Sequence, residues 1–229
     1  MNTTMTNKQN LLVLVGSPKT NSTSGSLAAH LLGSVPETEY SCRTVHLASL
    51  LRTEEGRGEL LDLAIHADVL VIAFPLYVDS LPAPVVHFME LYENVRPQGK
   101  RQRLLAISNC GFPEAHHNDS ALAQAKLFCS QTGIEWIGGL GLGGGGMVDG
   151  RPLAERGWFV RHADKALRIA ARAIVSDIKL PDNAVELMAR PLIPVWFYLL
   201  VGDMGWKQQA KKFGAAKRLY DKPYARQTG

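Results

Sequence analysis

The sequence predicts an α/β protein: a doubly wound, five-stranded parallel sheet covered by helices on both faces. Three observations predict it. Several short runs are apolar throughout rather than alternating, which is the signature of strands buried on both faces. Those runs alternate with stretches of helical spacing. Five such strand–helix units occupy about 175 of the 229 residues, and right-handed crossovers leave few other ways to connect them.

The elements follow in order. Leu11–Val15 is an apolar run ended by Gly16-Ser17-Pro18, hence a buried strand leading into a loop. Ser24 or Ser26 is placed to cap the next helix, where Leu27, Leu31 and Leu32 share a face. Cys42–His46 alternates like a less buried strand, and Leu60, Leu61, Leu63 and Ile65 mark a short helix. Val69–Phe74 carries the strongest buried-strand signal in the chain, and Pro75 stops it. A helix is expected from Ala83-Pro84, since proline suits a first turn. Leu104–Ser108 forms the fourth strand, residues 120–132 a helix, Ile134–Leu140 the fifth strand, and 153–176 a long amphipathic helix. From Pro181 the alternation ceases. Residues 11–180 therefore read as one domain and 181–229 as a C-terminal helical arm whose large apolar residues pack outside the sheet.

Composition narrows the class. The hydrophobic fraction of 46% and charged fraction of 20% are those of a globular domain. Cys42, Cys110 and Cys129 lie too far apart for a zinc or iron–sulfur site, and scattered thiols suit a reducing compartment, here the cytoplasm. No secretory signal is recognisable at the start, and Leu192–Val201 is too short to span a bilayer. Charge is divided: residues 1–150 sum to −4 and residues 151–229 to +8. A basic C-terminal third suits a phosphorylated cofactor, an acidic protein or a membrane surface, or is a solvated face.

In a doubly wound sheet, ligands sit beyond the carboxyl ends of the strands, where strand order reverses. Three loops stand there. The first, residues 16–26, offers Ser17, Lys19, Ser22, Thr23 and Ser24 ahead of a helix N-terminus, a setting that favours an anion. Without the GxxxxGK[ST] spacing, it suits a phosphate monoester rather than a triphosphate with magnesium. The second, residues 74–84, is stiffened by three prolines and presents Leu76, Tyr77 and Val78, a rigid apolar shelf for a flat ring. The third, Asn109-Cys110-Gly111-Phe112-Pro113-Glu114, adds an aromatic and a glycine that admits close backbone approach. Cys110 reads as a small residue ending a buried strand rather than a redox thiol.

Gly139-Leu-Gly-Leu-Gly-Gly144 satisfies G-x-G-x-x-G, but no helix opens at those glycines, so a dinucleotide fingerprint is not expected. Gly143–Gly146 reads instead as a mobile loop near the site. His116-His117 lacks a third ligand at suitable spacing, and no metal is expected.

Together, Gly16-Ser-Pro-Lys19 with Ser22-Thr-Ser24, Pro75–Pro84 and Asn109–Glu114 resemble the NADPH-dependent FMN reductase and flavodoxin-like NAD(P)H oxidoreductase families. The resemblance covers residues 11–175, and its most specific segment is Pro75–Pro84. It implies a flavodoxin-like sheet of order 2-1-3-4-5 that binds FMN. Ser17, Ser22, Thr23 and Ser24, with Lys19 in the same loop, would take the phosphate. Pro75, Leu76, Tyr77 and Val78 would line the isoalloxazine, and Asn109, Cys110 and Gly111 another of its edges. The phosphate loop departs from the pattern by reading Lys19-Thr-Asn where relatives more often have arginine and glycine. The activity implied is hydride transfer from NAD(P)H to the flavin and on to a small-molecule acceptor, with no catalytic acid or base from the protein. A flavodoxin-type electron carrier is the alternative. A homo-oligomer is expected and a nucleic acid is not. The arm is a lid, a dimer contact or a peripheral membrane segment.

Overall fold

The computed structural model describes residues 8–222. Five parallel strands form one sheet in the order β2-β1-β3-β4-β5: β1 Gln9–Val15, β2 Tyr40–His46, β3 Val69–Pro75, β4 Arg103–Asn109 and β5 Glu135–Leu142. Among the described residues eight α-helices accompany them: α1 Thr23–Leu32, α2 Leu47–Leu50, α3 Glu54–His66, α4 Ala83–Val95, α5 Asp119–Thr132, α6 Arg161–Val175, α7 Asp182–Ala189 and α8 Val195–Lys212. The sheet has the strand order and parallel sense that the flavodoxin-like reading requires.

The period of two along each strand divides the core into two layers. Leu11, Val13 and Val15 of β1, with Val69 and Val71 of β3, pack under α1, α6 and α7. The intervening Leu12, Leu14, Leu70, Ile72 and Phe74 pack under α3, α4 and α5. Because both faces are covered, no strand residue of β3 before Pro75 retains solvent access, and the run therefore reads as continuously apolar. Each such side chain contributes about 1.5–3 kcal/mol of transfer free energy.

Three details differ from the sequence expectations. Ser22, not Ser24 or Ser26, caps α1: its Oγ accepts from the Gly25 N–H at 3.1 Å. Ser24 and Ser26 are inside the helix and bonded elsewhere. The long helix expected over 153–176 begins only at Arg161; Leu153–Val160 is a 3-10 segment broken at Gly157 (φ 73°). The division of the chain lies at Leu192/Ile193, not at 180/181. Ala184, Met188 and Leu192 recur every fourth residue and are buried in the α1/α6 layer, and the Leu180 N–H donates to the Ile137 carbonyl of β5 at 2.9 Å. Residues 181–192 thus belong to the sheet domain. The second unit is residues 193–229; among its described residues it contains α8 and one 3-10 turn at Ala216–Arg218.

Candidate functional site

The carboxyl ends of β1, β3 and β4 lie side by side because those strands are neighbours. Their loops form a cleft of about 250 Å³, completed by residues that follow β5. It is lined by Ser17, Lys19, Asn21, Ser22, Thr23 and Ser24 from the first loop, and by Pro75, Leu76 and Tyr77 from the second. Asn109, Cys110 and Gly111 come from the third, and Gly145, Gly146, Asp149 and Gly150 from the last segment. Eleven of the twelve residues singled out in the sequence therefore share one cleft.

One wall is the start of α1. The first N–H groups of a helix have no intrahelical acceptor. Ser22 takes the N–H of Gly25 with its hydroxyl and that of Ser26 with its carbonyl, so the helix offers no partner to the N–H groups of Thr23 and Ser24. With the helix dipole behind them and the Ser17, Ser22 and Ser24 side chains beside them, they form a setting for an oxyanion. The loop is held by the rest of the molecule. The Thr23 hydroxyl donates to the Gly145 carbonyl at 2.8 Å, Ser26 donates to the Arg151 carbonyl at 2.6 Å, and the Lys19 N–H donates to Ser17 Oγ at 3.2 Å.

Asn109, buried at the end of β4, joins three of these segments. Its Nδ2 donates to Ser24 Oγ at 2.8 Å and to the Phe74 carbonyl at 3.2 Å, and its own carbonyl accepts from the Leu76 N–H at 2.8 Å. The same residue sets the last wall. A β-carbon built on Gly145 would stand 2.6 Å from Asn109 Oδ1, so only glycine passes there. Gly150 approaches just as closely: its β-carbon would stand 2.8 Å from the Asn21 carbonyl carbon, and its φ is +67°. The glycine segment is not a slack loop at these points. Gly144 and Gly145 donate to the Phe112 and Cys110 carbonyls at 2.6 and 2.8 Å, which makes Gly145–Met147 a 3-10 wall. Its place in the cleft was indicated in the sequence only by its glycine content; Asn21, Asp149 and Gly150 carried no signal of their own.

Val78 is the residue that does not join the cleft. The Tyr77 and Ser80 backbones bond to each other at 3.1 and 3.2 Å, closing a two-residue turn. Val78 and Asp79 occupy its tip with φ of 49° and 55°. That geometry turns the Val78 side chain outward, leaving it 98% exposed. A β-branched residue in the left-handed region is strained, so the shelf of Leu76 and Tyr77 is held by a tight turn beyond it. The Phe112 ring stacks near His117, centroids 4.5 Å apart, and does not line the cleft.

Cys110 is buried, its Sγ directed to the Phe112 carbonyl at 3.4 Å and accepting from Asn118 Nδ2 at 3.4 Å. Burial pushes its thiol above the ordinary value, opposed by those hydrogen bonds. A high-lying thiol is a poor nucleophile.

The fold and cleft define a doubly wound α/β protein in which the N-terminus of α1 meets an apolar shelf in one cleft. Residues 9–128 match the family model described as NADPH-dependent FMN reductase, and the chain belongs to that family. It is thus an FMN-dependent NAD(P)H oxidoreductase by family. Solved structures share its fold at low identity. The apo form of the NADH:FMN oxidoreductase EMOB is 19% identical, covering 82% of this chain and 97% of its own, with a TM-score of 0.56. The NAD(P)H:quinone oxidoreductase from Methanothermobacter marburgensis is 15% identical over 74% and 98%, with a TM-score of 0.55. An FMN-dependent NADH-azoreductase from Bacillus anthracis, solved in complex with FMN, is 16% identical over 72% and 99%, with a TM-score of 0.50. No curated protein matches the chain.

Proposed function

We propose that the cleft holds FMN with its phosphate at the start of α1 and its ring system on the Pro75-Leu76-Tyr77 shelf, and that the protein passes electrons from NAD(P)H to a small-molecule acceptor. The observation that carries this is the meeting, in one cleft, of unpartnered helix N–H groups with a rigid apolar shelf. When bound, the flavin accepts hydride and hands electrons on one or two at a time.

The rest falls to this chain's residues. Thr23 and Ser24 N–H groups, with the hydroxyls of Ser17 and Ser22 and the Lys19 side chain, bind the phosphate. Leu76 and Tyr77 orient the ring and keep water from one side of it. Asn109, Cys110 and Gly111 meet its other edge, with Asn109 fixing the spacing between shelf and phosphate loop. Gly145 and Gly150 are the backbone approaches that a side chain would block. No acid or base is required of the protein. Acceptors of the kind named for the neighbours, quinones and azo compounds, are the first to try. The scattered thiols, one exposed and two buried, fit a protein of the reducing cytoplasm.

Anaerobic mixing tests the reading. FMN-loaded protein given NADH or NADPH bleaches its visible flavin band without any mediator. Protein that takes up no FMN refutes the site; protein that holds FMN but is not bleached by either nucleotide is an electron carrier of the flavodoxin type instead.

A further inference from the structure

We infer that the second unit is a membrane-docking arm, whose α8 enters the outer hydrocarbon of one leaflet while the lysines behind it lie among anionic headgroups. This goes beyond the oxidoreductase reading and does not rest on it.

The first observation is how the apolar residues are distributed. No residue of α8 is buried. Trp196, Leu199, Leu200, Val201, Met204 and Trp206 are all exposed, Trp206 at 76%. At about 100° per residue they span more than half of the helix circumference, about twice the stripe that packing against a single helix or sheet would cover. A second copy of the chain would hide one stripe and leave the rest wet; a hydrocarbon layer covers them all. Exposed apolar surface of this extent marks an interaction site.

The second observation is that polarity is divided along the axis rather than across it. Val195–Trp206 contains a single charged side chain, Asp203, and that carboxylate is paired with Lys207 at 2.6 Å. Lys207–Lys222 then contains six basic residues and one acid, Asp221. Among the described residues Lys211, Lys212 and Lys217 form no ion pair. Layered polarity matches a membrane interface, which is itself layered from hydrocarbon to headgroup. No helix among the described residues is long and apolar enough to cross a membrane, so the arm lodges at the surface. Trp196 and Trp206 bracket the apolar stretch, as indole rings do at lipid–water boundaries, and the lysine stems reach back to the headgroups.

The experiment is flotation of full-length, FMN-loaded protein with phosphatidylcholine vesicles and with vesicles that also contain phosphatidylglycerol. The protein floats with the anionic vesicles, and less so at high salt. At about fivefold per charge, replacing Lys211, Lys212 and Lys217 together by glutamine weakens partitioning about a hundredfold. Leu199→Glu with Leu200→Glu abolishes flotation while the flavin absorbance and melting temperature hold. The inference is overturned if the wild type stays with the pellet, or if the Leu pair floats like the wild type. It is equally overturned if, without lipid, sedimentation shows an oligomer that the Leu pair dissociates, for then a second copy covers the helix.

Discussion

Replacing Gly150 by alanine tests whether the segment after β5 is part of the cleft or merely beside it. The new methyl would stand 2.8 Å from the carbonyl carbon of Asn21 and 2.9 Å from the Asn21 carbonyl oxygen and the Ser22 nitrogen. All three are backbone atoms, so no side chain can rotate away. Restoring ordinary contact at 3.4 Å requires the two segments to part by about 0.6 Å. The backbone adds a second cost. Gly150 has a φ of +67°, and an L-residue there loses about 1–2 kcal/mol. Overpacking of this kind costs about 1–3 kcal/mol more. The sum, about 2–5 kcal/mol, lowers the melting temperature of a domain this size by about 4–20 °C. Because the displaced partner is the loop that presents Ser22, Thr23 and Ser24, FMN affinity falls at least tenfold, about the worth of one charge-assisted hydrogen bond. Thermal unfolding without flavin and FMN titration by fluorescence quenching read the two effects separately. Gly146→Ala is the control: a β-carbon there meets nothing within 4 Å, so the stability of the flavin-free protein does not fall. A Gly150→Ala protein that melts and binds FMN as the wild type does would refute the reasoning.

Three further outcomes follow from the same geometry. Asn109→Ala removes two side-chain hydrogen bonds and leaves Ser24 Oγ without its donor; a loss of about 2–3 kcal/mol in urea unfolding accompanies weaker FMN binding, and an unchanged FMN affinity would show that Asn109 does not set the cleft's width. Of the three thiols only Cys42 is exposed; desolvation raises all three, Cys129 to about 12. Access therefore decides, and native protein gives one reactive thiol with Ellman's reagent, and three on unfolding. The hydrogen bond from Arg101 holds the Asp177 carboxyl below the usual carboxylate range, and the charges of Arg103 and Arg101 lower it further against some desolvation. The unfolded chain then binds the extra proton, so this contribution is present above the ordinary carboxylate value of about 3.9 and is lost as pH falls through the native one. Asp177→Asn lowers the urea midpoint at pH 7 and flattens its decline below about pH 4; an acid limb identical to the wild type's would refute the assignment.

What the sequence made legible was what depends on neighbours in sequence. Continuous apolar runs mark parallel strands because helices cover both faces, and Leu11–Val15 and Val69–Phe74 read correctly for that reason. Loop composition was legible too, since hydroxyls before a helix and prolines after a strand act locally. Choices made by distant partners were not. Any of Ser22, Ser24 and Ser26 suits a cap; the structure selects Ser22 because Asn109, 85 residues away, holds Ser24, and the Arg151 carbonyl, 125 residues away, takes Ser26. Val78 belongs to an apolar loop by composition, and only the left-handed turn it occupies turns it out of the cleft. The domain limit was misplaced for a different reason. Pro181 looks like a break, but the Ala184, Met188, Leu192 spacing behind it is a buried helical stripe that the sequence did contain.

The cleft is a consequence of strand order more than of any one motif. Placing β1 between β2 and β3 brings the helix start of the first loop beside the shelf of the second. Placing β4 next to β3 sets Asn109 opposite Pro75 in the ladder, where one amide side chain can reach both the Phe74 carbonyl and Ser24. β5, paired along the whole of β4, then delivers the glycine segment to the far side, where Thr23 bonds to Gly145. A phosphate loop alone would bind many anions weakly, and an apolar shelf alone many flat molecules. On the proposed reading, selectivity for a ligand carrying both groups would come from their fixed separation, and the Asn109 side chain, bonded to Ser24 and to the Phe74 carbonyl, is what ties the two segments together.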